Sequence, residues 1–153
     1  MPLSISIPMR YNASFWFICN LLLIILLELL FPLAITFSWE QTFGLLFLLI
    51  ATVIALWGKY LYSRHSTSYD PNKKAVFLIT DHIYALSRNP IYIALFFAFS
   101  GISLILSLNY FPLGLLSLLL TLSRIVIPYE EKELLDIFGN EYLLYKNHTP
   151  KWL

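Results

Sequence analysis

Leu, Ile and Phe gather into four long runs along the chain, while polar residues crowd into one central stretch and the C-terminal end. The runs cover about 15–37, 42–62, 91–108 and 111–127. Each is close to the roughly 17–25 residues a helix needs to cross the hydrocarbon of a bilayer. Apolar residues fill these runs on every side instead of forming one stripe, the pattern of helices surrounded by lipid. Only Asn109 and Tyr110 part the last two runs, and so short a link joins antiparallel neighbours as a helical hairpin. The predicted fold is all-α: one domain over 1–153, a polytopic membrane bundle of about four transmembrane helices with a C-terminal cytoplasmic helical segment.

Composition supports this pattern. The chain is 59% hydrophobic and 12% charged, against about 45–50% apolar usage in globular domains. A net charge of +1 gives no electrostatic basis for a nucleic-acid partner. Cys19 is the only cysteine, which excludes a disulfide framework, and His65, His82 and His148 are scattered, so no metal cluster is expected. The first run is longer than the core of a signal peptide and is not closed by small residues, so it reads as a retained span.

Charge orients the bundle. Arg10 precedes the first run; Lys59, Arg64, Lys73, Lys74 and Arg88 surround the central stretch; Arg124, Lys132, Lys146 and Lys151 lie at or beyond the last run. The two opposite turns carry only Glu40. By the positive-inside rule, both termini, the loop 63–90 and the tail 128–153 are cytoplasmic. The polar chemistry is thereby collected on one membrane face, as in a bacterial inner-membrane protein. One acid, Glu28, lies deep in the first run, either facing an acceptor tunnel or protonated between helices.

Two segments on that face carry candidate chemistry. In the tail, "PYEEKELLDIFGNEYLLYK", Pro128 suits the first turn of a new helix. The acids after it favour the positive end of the helix dipole, and Gly139 suits a left-handed cap. In the loop, "FLITDHIYALSRNPIYIAL", the Asn89–Pro90 step disfavours helix before Pro90 and starts the third run there.

Together these segments resemble the isoprenylcysteine carboxyl methyltransferase and phospholipid methyltransferase superfamily of membrane enzymes. The resemblance rests on Leu78-Ile79-Thr80 through Tyr84 to Arg88-Asn89-Pro90-Ile91-Tyr92. It continues, after a hairpin, in Glu130-Glu131, Phe138-Gly139, Glu141-Tyr142, Tyr145 and Lys151-Trp152. It covers roughly 67–153. It implies S-adenosylmethionine as cofactor and a lipid or lipidated, isoprenylcysteine-like acceptor reached from the bilayer. The reaction is then a carboxyl O-methyl or phospholipid N-methyl transfer. Val76, Phe77, Leu78 and Ile79 would meet the cofactor through backbone and apolar surface. Tyr84, Asn89, Pro90, Ile91 and Tyr92 would line its pocket, with Glu130 on its amino group and Glu131 beside it. Arg88, Asn89 and Arg124 are the residues assigned to catalysis. Methyl transfer needs alignment and exclusion of water, with no metal.

Three positions depart from the family pattern. His82 and Ala94 stand where glycines are common, and Val126 stands where the carboxyl methyltransferase branch has an acceptor-contacting arginine. A glycine at position 82 would serve a positive φ or a close backbone approach. Two alternatives remain open: a relative of the NADPH-dependent membrane sterol and enone reductases, and a non-catalytic scaffold of the same fold.

Overall fold

The computed structural model describes residues 11–33, 35, 38–65 and 76–153. Arg10, Lys73 and Lys74, which contribute to the orientation argument, lie outside the described residues, as do Ala34, Thr36 and Phe37 of the first run. All regular structure among the described residues is helical. Three helices are long and apolar enough to cross a membrane: Ala13–Leu30 (α1), Glu40–Arg64 (α2) and the continuous Phe111–Phe138. Pro90–Ile105 (α4) is a shorter apolar helix. The short Ile83–Leu86 (α3) lies in the polar stretch and Asn140–His148 (α7) in the tail.

Local chemistry sets the ends. Asn12 caps α1 by accepting the Ser14 amide at 2.9 Å. The helix stops at Leu30, short of the expected end near Phe37, because Phe31 precedes Pro32 and is pushed out of helical backbone. This places Glu28 in the last turn of α1, where it receives the Leu33 amide and both the amide and the side chain of Asn109. Glu28 is thus a clasp on the turn that follows α4.

α2 and α4 run antiparallel at very close range. A Cβ added at Gly101 would come 2.8 Å from the Gly44 carbonyl, and one at Gly58 would collide with Ile91 Cδ1. Small residues let two backbones approach where lipid supplies no hydrophobic drive. α1 packs on the last helix through a buried cluster of Ile24, Phe99, Leu118, Leu122, Val126 and Ile127.

The last helix does not restart at Pro128 as expected. Phe111–Thr121 (α5) passes through a π-helical turn, Leu122–Val126, directly into Ile127–Phe138 (α6). The Ile127 amide donates to Leu122 O, one residue further back than in an α-helix. In that register Pro128, which has no N–H, falls opposite Ser123. The stranded Ser123 carbonyl instead accepts Lys151 Nζ at 3.2 Å.

Candidate functional site

Two segments far apart in sequence interlock at one end of the bundle. The first begins with a tight turn in which the Tyr84 amide donates to Asp81 O at 2.9 Å. His82 occupies the second position of that turn with φ 52 and ψ −124, the mirror-image conformation that glycine adopts at least cost. The positive φ that a family glycine implies is therefore present, but a histidine holds it. After the single turn of α3, Ser87 is extended and buried, and Pro90 opens α4.

Ser87, Arg88 and Asn89 grip the chain terminus. The Arg88 amide donates to Pro150 O at 3.0 Å, while Ser87 Oγ and Asn89 Nδ2 donate to Lys151 O at 3.2 and 2.9 Å. Thr149 precedes Pro150 and is extended, which presents these carbonyls to the loop. Tyr145 adds a bond from its hydroxyl to Tyr84 O at 2.7 Å. Burial pushes the Tyr145 phenol up, and that of Tyr142 likewise, so both remain protonated. Gly139 permits the sharp bend between α6 and α7 with φ 53 and ψ −122. Its φ is positive, as expected, but its ψ lies far from that of a left-handed helical cap.

The adjacent acids of α6 point to different partners. Glu131 accepts Arg88 Nη1 and Lys146 Nζ, each at 2.6 Å. Arg88 and Glu131 side chains are only 10% and 15% exposed, so this is a largely dehydrated pair. Glu130 instead faces α4 and accepts the Tyr92 hydroxyl. One turn along α4, Phe96 meets the indole of Trp152 with centroids 5.4 Å apart. Tyr92, Phe96 and Trp152 all pack on the same core cluster. A half-buried carboxylate thus accepts a hydroxyl from one ring of the cluster on which Trp152 packs. On the loop side, Arg88 Nε is buried and has no hydrogen-bond acceptor among the described residues.

The remaining expected site residues are distributed as follows. Leu78 packs with Tyr142 and Tyr145, and Ile79 with Leu61 and Tyr84, so both side chains belong to the core. Phe77 stacks on His65 at 4.5 Å, and Val76 is exposed. Tyr84 is buried and donates to the Tyr62 hydroxyl at 3.2 Å. Pro90 is buried, and Ile91 fills the space above Gly58. Arg124 is exposed on the π-helical turn and makes no hydrogen bond or ion pair among the described residues. Sequence reasoning gave Ser87, Lys146 and Lys151 no place in the site, although the two lysines entered the orientation argument and Lys151 the family resemblance. Their positions beside Arg88, one turn from Tyr142 and beside Trp152 were the available signal.

No group of His, Cys, Asp and Glu suited to a metal ion occurs among the described residues. No curated protein matches the chain, and no solved structure does. A family model described as phospholipid methyltransferase matches residues 39–141. That stretch runs from the start of α2 into α7 and includes Arg88, Asn89, Tyr92, Glu130 and Glu131. With well over half of its 153 residues matched, the chain belongs to the phospholipid methyltransferase family of membrane methyltransferases.

Proposed function

We propose that this protein transfers the methyl group of S-adenosylmethionine to a lipid or lipidated acceptor that enters from the bilayer. The observation that carries the reading is the position of Glu130. It is a half-buried carboxylate held by Tyr92, whose ring packs on the same core cluster as Phe96 and Trp152, while Arg88, with its unpaired Nε–H, is held by the adjacent Glu131.

This donor and acceptor set fits the cofactor. Its methionine part carries one ammonium and one carboxylate; Glu130 suits the first and Arg88 Nε the second, both as charge-assisted contacts. The rings of Tyr92, Phe96 and Trp152 suit a sulfonium, with a cation–π contribution of about 0.5–2 kcal/mol. When bound, the cofactor supplies an electrophilic methyl group on a good leaving group. The protein's own residues then have to bind, align and keep water away. Tyr92 orients Glu130, while the clasp of Ser87, Arg88 and Asn89 on the terminus closes the pocket against solvent. Val126 is fully buried, which leaves no cation at that position for an acceptor carboxylate. This favours a phospholipid headgroup over a prenylcysteine carboxylate.

We further read the bundle as crossing the membrane four times with both termini cytoplasmic. α4, with 16 residues, extends about 24 Å at 1.5 Å per residue. That is short of the roughly 30 Å hydrocarbon core, a mismatch that local thinning of the bilayer can absorb. The activity is tested by incubating the purified protein in lipid nanodiscs with methyl-tritiated S-adenosylmethionine. Label should enter the organic phase, and Glu130→Gln should abolish most of that transfer. Label that stays aqueous, or transfer by Glu130→Gln at the wild-type rate, would refute the proposal.

A further inference from the structure

At the end of the bundle away from Glu130, a cavity of about 260 Å³ opens between the start of α2 and the α4–α5 turn. Trp39, Leu108 and Phe111 form part of its apolar wall; Glu40, Ser107 and Asn109 are among its polar groups. At roughly 30 Å³ per water, the volume would hold on the order of eight waters. It is large enough for a small head group and too small for a whole lipid.

The two acids at this end differ in how fully they are used. Glu28 receives three hydrogen bonds from Leu33 and Asn109. Glu40 is more deeply buried, at 6% exposure, yet among the described residues it accepts only Ser107 Oγ, at 2.8 Å. An ionised carboxylate has about four acceptor sites. The positive end of α2 stabilises the charge of Glu40 but does not neutralise it. No Lys, Arg or His occurs in residues 11–58 or 89–123, so the cavity has no countercharge among the described residues. A buried charge without a countercharge is costly, and a cation entering the cavity would relieve that cost.

The backbone at Ser107 helps build the site. The Leu108 amide donates to Ser103 O at 2.8 Å and that of Ser107 to Leu104 O at 3.1 Å, the paired bonds of a Schellman cap with Ser107 at its positive-φ position. Any φ above zero strains a serine. Here it turns the hydroxyl towards Glu40.

We propose that this cavity is a second binding site, which takes an alkylammonium group on Glu40 with Trp39 as its aromatic wall. A carboxylate beside an indole, in a cavity without bases, is selective for such a cation. The ammonium can be borne by a lipid or be free in solution. The site is separate from the Glu130 pocket, so a failure of methyl transfer leaves this proposal standing.

The test is calorimetric titration of the full-length protein in dodecyl maltoside. The probes are dodecyltrimethylammonium below its micelle concentration and tetramethylammonium. Wild type should bind the amphiphile at least tenfold more tightly than Glu40→Gln, and several-fold more tightly than Trp39→Leu. Circular dichroism checks that both variants keep their helices. Competition by tetramethylammonium would assign the site to the free cation as well. Absence of competition, with the amphiphile still bound, would assign it to a lipid-borne head. Equal affinity in wild type and both variants, or no binding of either probe to wild type, would overturn the proposal.

Discussion

Arg88 Nη1 and Glu131 Oε1 lie 2.6 Å apart, although 43 positions separate the residues in the chain. The pair joins the turn before α4 to the helix that leaves the bundle. It also fixes the face of α6 that Glu130, the residue before it, presents to Tyr92. A dehydrated pair of this kind adds little net stability compared with an apolar pair, but it is costly to break. It therefore acts mainly to set register. Glu131→Gln leaves Arg88 without its full partner and should destabilise the protein by about 3 kcal/mol. Lys146 is 41% exposed on the outer side of the same carboxylate, so Lys146→Met should cost less than about 1 kcal/mol. Thermal unfolding in detergent should rank the two variants in that order.

His82 stores backbone strain that glycine would release. A non-glycine residue in such a region costs about 1–3 kcal/mol, and glycine brings an entropic cost of roughly 0.5–1 kcal/mol. His82→Gly should therefore stabilise the protein by about 1 kcal/mol. His82→Ala removes the ring but keeps the strain and should show no gain. If both variants lose cofactor affinity, the imidazole belongs to the pocket.

Lys151 and Pro128 should be coupled through the Ser123 carbonyl. Lys151→Met strands that acceptor and should cost about 1–3 kcal/mol. Pro128→Ala restores an amide in the position that the π register leaves empty. In that background the same lysine substitution should cost much less. A double-mutant cycle on melting temperature measures the difference, and strict additivity would remove the link.

The proposed membrane orientation rests on the basic residues. Reporter fusions at Leu153 and Asn109 should report opposite sides, with Leu153 cytoplasmic. The same side for both would rule out four crossings.

The helices and the site-bearing segments were legible because their signals are local. Apolar runs mark spans, and the Asn89–Pro90 step marks the start of α4. The motif residues around Arg88 and Glu130 stand at fixed spacings. What was not legible depends on contacts between distant residues. Nothing near Glu131 in sequence distinguishes it from Glu130; only the arrival of Arg88 and Lys146 assigns it to the clasp. Pro128 carries the local signature of a helix start, yet packing continues the helix through a π-helical turn and Lys151 satisfies the carbonyl this strands. Glu28 looked isolated because Asn109, which holds it, lies 81 residues away. His82 falls between these cases: the family glycine indicated a positive φ, but not that a histidine would occupy it.

The central claim is that Glu130 anchors the methyl donor, and titration of the purified protein with S-adenosylhomocysteine tests it most directly. Wild type should bind, and NADPH should not. Glu130→Gln should weaken binding at least tenfold, since hydrogen bonds to charged groups contribute about 1.5–3 kcal/mol. Glu141→Gln, on the exposed side of α7, should bind as wild type does. Undiminished affinity in Glu130→Gln, or no binding of S-adenosylhomocysteine by wild type, would contradict the account.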